Sequence, residues 1–411
     1  MQPEKHSRGK TITLITLIVA GESIFFLPFV LARVFRPTLL DLFGISNMEL
    51  GLWFSVYGIV AMVSYLLGGP LADRFPARNL MAIALWLTSA GGGLMFLLPS
   101  STIMLWIYAF WGFTTICLFW AAMIRATREW GGTFFQGRAF GWLEGGRGGV
   151  AALLATLSFL LFSQIRSFQW IILATSAITL LSGILVWLFI PLNSAERARQ
   201  KNHELIRDIS TLLRKRSTWL LTIIILCAYS GYKITDDYSL FAREVLGFSE
   251  LSAAGIGTIA LWIRALVAIL AGILADRFHR VGVIIVAFAL TLTGGLLIGL
   301  RIFQEVSGLL LMNLALTAAG IYAVRALYFS VMREARIPVD LTGTAVGMVS
   351  FAGFAPEIFI SPWMGHLLDR SPGAAGHADV FLLLSGFALT GLVASWFFYH
   401  STRHTPGPLS S

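Results

Sequence analysis

Glu22, Glu144, Arg147, Lys233, Arg264, Arg325 and Glu357 fall inside long runs of apolar residues. An ionised group in such a setting is costly to keep and is a candidate for function by default. Depth along each run separates them. Arg147 lies about nine residues into its run, roughly 14 Å from one end, and Arg264 and Arg325 lie about eleven and eight residues from the same-side ends of theirs. Neither Arg264 nor Arg325 has an acidic neighbour along its own run. A guanidinium is a planar fork of donors that grips a carboxylate, phosphate or sulfonate with two bonds, so Arg264 and Arg325 facing a shared cavity would suit a small anion. The competing reading is interhelical pairing with Glu22, Glu144 or Glu357.

Glu144 and Arg147 stand three apart, which on a helix makes a local ion pair and leaves the segment open to a structural or a site role. Gly141, Gly145 and Gly149 repeat every fourth position beside them and are expected to let another helix approach closely. Low dielectric favours the neutral form of a carboxylate in general, so Glu22 and Glu357, the latter behind Pro356, can carry a proton or act as permanent counter-ions. Lys233 sits beside Tyr229, Tyr232, Asp236 and Asp237 as a possible anion contact, with either aspartate as its neutralising partner. Trp120 and Trp142 are expected among the usual membrane-interface anchors, whereas Trp262 and Tyr322 are read as cavity-lining.

Several chemistries are missing. There is no His/Asp metal cluster, no glycine-rich phosphate cradle and no nucleophile with a credible base. No catalysis, cofactor or metal is therefore expected. Cys117 and Cys227 lie within apolar runs and read as small buried side chains rather than a disulfide. The net charge of +9 does not indicate nucleic acid, because the cations are spread between the apolar runs rather than gathered on one face.

The elements that must hold these residues follow from composition. Apolar residues make up 57% of 411 positions and charged residues 12%, about half the charged share of a soluble chain. Runs of ~20 apolar residues span a ~30 Å hydrocarbon core as helices. Twelve are predicted, near 11–33, 48–71, 79–99, 101–125, 138–164, 168–191, 217–241, 250–274, 281–301, 307–332, 341–366 and 377–399. The basic start, Lys5, Arg8 and Lys10, runs straight into the first without a small-residue cleavage site, so that segment is expected to stay as a helix. Lys and Arg concentrate in alternate breaks, and the positive-inside rule puts both termini in the cytoplasm. The polar stretch 193–216 reads as a linker on that side, between an N-terminal bundle, 1–192, and a C-terminal bundle, 217–411.

A heptapeptide occurs twice. Gly69-Pro-Leu-Ala-Asp73-Arg74-Phe75 follows the second run and Gly272-Ile-Leu-Ala-Asp276-Arg277-Phe278 follows the eighth, with six of seven positions alike and 203 residues between them. That period means duplicated bundles. Gly69 and Gly272 are expected to allow close backbone packing, and Asp73 and Asp276 to face a helix N-terminus or a nearby Arg in one of two bundle orientations. Arg74, Arg78, Arg277 and Arg280 add ion pairs or lipid contacts, or are ordinary anchors.

The double motif, with its extensions Pro76-Ala77-Arg78 and His279-Arg280, resembles the major facilitator superfamily. Gln136-Gly-Arg-Ala-Phe-Gly-Trp-Leu-Glu144-Gly-Gly-Arg147-Gly148, Arg325-Ala-Leu-Tyr-Phe, Gly343-Thr-Ala-Val-Gly347 and Gly353-Phe-Ala-Pro356 resemble the YihN-like permeases, relatives of sugar-phosphate and organic-anion porters. The resemblance implies an all-α membrane protein of twelve helices in two pseudo-symmetric six-helix bundles, acting as a monomer in the inner membrane. It implies secondary transport of a small organic anion by alternating access, by proton coupling or by exchange. A multidrug or metabolite exporter and a non-transporting membrane sensor are the alternatives. Organophosphate porters pair an arginine of helix 7 with one of helix 1; here Tyr232 stands at that position and Arg33 lies at the outer end of helix 1, a departure from phosphate exchange.

Overall fold

The structure, a computed structural model, describes residues 3–131, 136–192, 214–302, 306–328, 330–332, 334–335 and 349–403. Among them every regular element is a helix. In chain order these are α1 Gly9–Val34, α2 Asn47–Arg74, α3 Ala77–Phe96 and α4 Ser101–Gly131, then α5 Gln136–Ile165 and α6 Phe168–Phe189. They continue as α7 Arg216–Glu244, α8 Glu250–Arg277, α9 Arg280–Gly299 and α10 Ser307–Leu327, and close with α11 Pro356–Arg370 and α12 Ala374–Arg403. Eleven helices among the described residues are long and apolar enough to cross a membrane. The expected eleventh segment begins at 341, and its first part lies outside the described residues, as does most of the linker 193–216.

Where helix ends depart from expectation, local chemistry explains it. α2 opens on a capping box, with the Ser46 hydroxyl accepting from the Glu49 amide and the Glu49 carboxylate accepting from the Ser46 amide. It then runs through Pro70 to Arg74, so the first heptapeptide forms the closing turns of the helix rather than a loop after it. α8 ends the same way at Arg277. A basic residue in the last turn complements the helix dipole in both. α4 likewise runs to Gly131, drawing Arg125 and Arg128 into a helix where a break is expected.

Among the described residues, α1, α4 and α7 carry irregular turns, that of α4 being the π segment Phe113–Trp120. Phe26–Val30 in α1 is a π turn that contains Pro28, whose missing N–H and bulky ring disrupt the regular ladder. In α7 a 3-10 turn, Thr235–Asp237, separates Arg216–Ile234 from Tyr238–Glu244.

The helix bounds carry the sequence repeat. Asn47 and Arg74 become Glu250 and Arg277 on adding the 203-residue period, and Ala77 and Phe96 become Arg280 and Gly299. Packing follows the same relation: α3 lies along α6, and α9 along α12. Gly92 and Gly295, equivalent under the shift, make both contacts possible. A side chain at Gly92 would run into Ser176 of α6, and one at Gly295 into Ser385 of α12. Small residues of this kind let apolar helices approach at backbone distance.

The chain packs into two compact units. One holds α1 to α6 with Asp236–Ala265 and Ser361–Gly365; the other holds the described residues of 200–235, 266–360 and 366–411. Each has its own core. In the first, Leu17, Ile24, Met81, Leu85, Phe119 and Val186 pack together. In the second, Leu221, Ile225, Ile284, Phe288, Val331 and Phe398 do so.

Candidate functional site

Within the first unit, Glu22 of α1 is buried between two arginines. Arg147 of α5 brings Nε to 3.4 Å from Oε2, and Arg264 of α8 brings Nη1 to 3.6 Å from Oε1. Both contacts exceed the usual charge-assisted hydrogen-bond length of about 2.7–2.9 Å. Arg147 also reaches Glu144 at 2.7 Å through Nη1, the local pair expected from their spacing. Its guanidinium lies 5.5 Å from the Phe25 ring and 5.7 Å from the Trp120 ring. Gly21 makes room for the Arg147 stem, whose Cδ would stand 3.2 Å from any Cβ there.

The expected glycine rhythm of α5 is corrected by this packing. Gly141, Gly145 and Gly149 face open space, whereas Gly146 packs on Ile18 of α1 and Gly148 faces Ala265 of α8. Gly146 and Gly148 flank Arg147, on the side of α5 roughly opposite the predicted one at about 100° per residue.

A second cluster lies within the other unit. Glu357, at the start of α11, accepts a hydrogen bond from the Tyr229 hydroxyl and another from Lys233 Nζ at 3.0 Å. Lys233 therefore finds a carboxylate across on α11, which its sequence neighbourhood had left to Asp236 or Asp237. Arg325 of α10 lies over the Tyr232 ring, 3.7 Å from its centroid, and 5.6 Å from that of Tyr229. Tyr322, one turn earlier on α10, packs edge-on to Tyr232 at 6.4 Å, and Phe354 backs Tyr229 at 4.8 Å. Lys233, Tyr322 and Glu357 are buried.

The remaining predicted residues stand apart from these clusters. Trp262 is 39% exposed and donates from Nε1 to Thr156 Oγ1 at 3.0 Å, against its expected place in a cavity wall. Its large ring is held at an edge by one polar contact. Asp73, Arg74, Asp276 and Arg277 are exposed, and among the described residues the two aspartates make no ion pair. A Cβ at Gly69 or Gly272 would meet nothing within 4 Å, so neither glycine serves the close packing expected of it. Both face outward from a helix that continues past them. Arg78 stacks 4.7 Å over the Trp187 ring, and Arg280 reaches Glu334 at 3.4 Å.

Two contacts escaped the sequence reading. Arg125 donates from Nη1 to the Ala72 carbonyl at 2.5 Å, tying α4 to the turn that carries Asp73. Arg33, at the end of α1, pairs with Asp236 of the 3-10 turn, Nε to Oδ1 at 2.5 Å, with both side chains only 2% exposed. The separation of these two in sequence is 203 residues, the repeat period itself, and that was the available signal.

Helices of membrane-crossing length, arranged as two internally related halves with buried charges, define a polytopic helical membrane protein of the transporter type. The chain belongs to the Major Facilitator Superfamily, a transporter family, whose family model matches residues 13–361. It is 30% identical to inner membrane protein YqcE of Escherichia coli K12, covering 95% of this chain and 94% of that one. It is 25% identical to YihN of the same organism, covering 92% and 93%. The fold matches a bacterial homologue of the human lysosomal transporter Spinster with a TM-score of 0.73 and 14% identity, over 99% of this chain and 100% of the other.

Proposed function

We propose that this protein is an inner-membrane secondary transporter for a small organic anion, a sugar phosphate, sulfonate or carboxylate. Its halves, 1–192 and 217–411, alternate access to the substrate, with 193–216 as a cytoplasmic tether and both termini in the cytoplasm. The observation that carries this reading is Arg325 stacked 3.7 Å from the Tyr232 centroid, next to Lys233. A guanidinium held by its face on an aromatic ring directs its N–H donors along the plane, the geometry that grips an oxyanion with two bonds.

Arg147 and Arg264 act in the same reading as secondary anion contacts, and Tyr322 as a hydroxyl that orients the substrate. Glu22, with its long contacts to two arginines, is the carboxylate that exchanges partners: an anion that draws on Arg147 or Arg264 leaves Glu22 to take a proton. Glu144 and Glu357 hold their cations in place meanwhile. The heptapeptide aspartates Asp73 and Asp276 engage in the alternative orientation of the halves, and Arg74, Arg78, Arg277 and Arg280 anchor the inner surface to lipid head groups.

The test is uptake of labelled sugar phosphates, sulfonates, carboxylates and cationic drugs by proteoliposomes under an imposed proton gradient. Uptake of one anion class, lost in Arg325→Ala, is expected. Uptake of cations alone, or anion uptake untouched by Arg325→Ala, would refute the proposal.

A further inference from the structure

The geometry points to Glu144 as a positioning residue: its carboxylate shares Arg147 with Glu22 and keeps that guanidinium from closing on Glu22, where an arriving anion could no longer draw on it. The inference deepens the reading above, in which Arg147 is an anion contact, and rests on it.

Distance is the first argument. Arg147 Nη1 stands 2.7 Å from Glu144 Oε1, while its Nε stands 3.4 Å from Glu22 Oε2. The first is the length of a made charge-assisted hydrogen bond, and the second is about half an ångström too long for one. Arg264 Nη1 lies 3.6 Å from the other oxygen of Glu22. Glu22 is buried, and its Oε2 accepts no hydrogen bond among the described residues. A carboxylate so placed attracts any guanidinium that is not held elsewhere.

Arrangement is the second. All four side chains belong to the first unit. Glu144 stands three residues before Arg147 on α5, so it holds the guanidinium from the same helix, whereas Glu22 reaches it from a neighbouring one. Phe25 and Trp120, with ring centroids 6.2 Å apart, flank the guanidinium at 5.5 and 5.7 Å. Their apolar surface strengthens the pull of either carboxylate.

Exposure is the third. The Glu144 side chain is 56% exposed and that of Glu22 only 2%. Space beside Glu144 is open, since a Cβ at Gly141 or Gly145 would meet nothing within 4 Å. A carboxylate that regains water is released cheaply, and one left stranded in apolar surroundings is not. Held on the exposed partner, Arg147 stays exchangeable: an anion displaces Glu144 at little cost and would displace Glu22 at a large one.

The test reads Arg147 directly, by the rate at which phenylglyoxal, a guanidine-selective dicarbonyl, modifies it in the purified protein, followed by mass spectrometry of the peptide that carries it. In Glu144→Gln the guanidinium closes on Glu22, and modification is expected to slow roughly tenfold, the weight of one charge-assisted hydrogen bond. Adding Glu22→Gln is expected to return the rate to that of the unaltered chain or above. A Glu144 that merely covered Arg147 would give the opposite sign, faster modification in Glu144→Gln. Thermal melting supplies a second reading. Each single variant leaves Arg147 one carboxylate and the double variant leaves it neither, so the fall in melting temperature of the double should exceed the sum of the single falls by roughly 5 °C. Arg147→Met, added to the double, should recover that excess. Unchanged or faster modification in Glu144→Gln, additive falls in melting temperature, or an excess that Arg147→Met does not recover would each overturn this role. No anion enters either measurement, so failure of the substrate assignment would leave the results intact, and failure of the Glu144 role would leave the Arg325 site standing.

Discussion

The same five-residue stretch of the repeat is written differently in the two halves. In α1 it is the π turn Phe26–Val30; in α7, 203 residues on, it is Tyr229–Lys233. Phe26, Phe29 and Val30 become Tyr229, Tyr232 and Lys233. Phe29 packs on Phe54 and Tyr57, an apolar arrangement of rings, whereas its counterpart Tyr232 carries the guanidinium of Arg325. The reverse holds one turn earlier, where Glu22 has Ile225 as its equivalent, and Arg264 in turn has Ala61. At these positions the repeat keeps what builds the helices and their contacts, and a charge is added to one half only; Arg33 and Asp236, equivalent and both charged, are the exception. A symmetric scaffold supports a largely asymmetric set of buried charges.

The comparison can be broken most severely by stranding a charge in the second half. Glu357→Ala leaves Lys233 buried without its carboxylate and should cost about 3–5 kcal/mol in thermal unfolding of the purified protein. Replacing both, Lys233→Val with Glu357→Leu, makes α7 read as α1 does and should recover most of that stability while abolishing anion uptake. If the double variant still transported anions, the division between scaffold and site would be wrong.

A smaller effect is expected at Arg325. Truncation to Ala should weaken anion binding by roughly ten- to a hundredfold, the loss of a charge-assisted pair of bonds worth about 1.5–3 kcal/mol. Arg325→Lys should fail to restore it, since an ammonium neither stacks on Tyr232 nor grips with two parallel donors. Titration of the anion against each variant checks both.

The shared scaffold makes its own prediction. Gly92→Val and Gly295→Val force side chains into equivalent helix contacts and should each destabilise by about 1–3 kcal/mol. A large effect at one and none at the other would show that the halves are not built alike.

Least affected should be the heptapeptides. Asp73→Asn and Asp276→Asn, at exposed positions, should shift stability by less than about 0.5 kcal/mol. Arg125→Ala should cost about 1–2 kcal/mol through its lost bond to the Ala72 carbonyl.

The helices were legible because crossing a membrane requires long apolar runs, a requirement that each run meets by itself. The duplication was legible in the heptapeptide alone, and the helix bounds then repeated its period. Partner choice among buried charges was a different matter. Glu144 and Arg147 are one turn apart on one helix, so their contact follows from spacing. Glu22 draws on arginines of α5 and α8, and Glu357 on two residues of α7; such contacts depend on helix rotation and approach, which no single run encodes. The glycines of α5 show the same limit. Their fourfold spacing was plain, and the side that packs was roughly the opposite one, around Arg147.

The irregular turns were hidden for a related reason. Pro28 marks a disturbance in α1 but not its kind, and nothing in Thr235-Asp236-Asp237 distinguishes a tightened turn from an ordinary one. Only the matching period between Arg33 and Asp236 would have brought those two turns together.

Most directly, the account stands on whether the added charges of the second half recognise anions. Thermal stabilisation of the purified protein by a panel of sugar phosphates, sulfonates, carboxylates and cationic drugs, measured for the unaltered chain, Arg264→Ala and Arg325→Ala, decides it. The expected result is a rise in melting temperature with one class of anion, lowered in Arg264→Ala and absent in Arg325→Ala. Stabilisation by anions that persists in both variants, or stabilisation by cations alone, would contradict it.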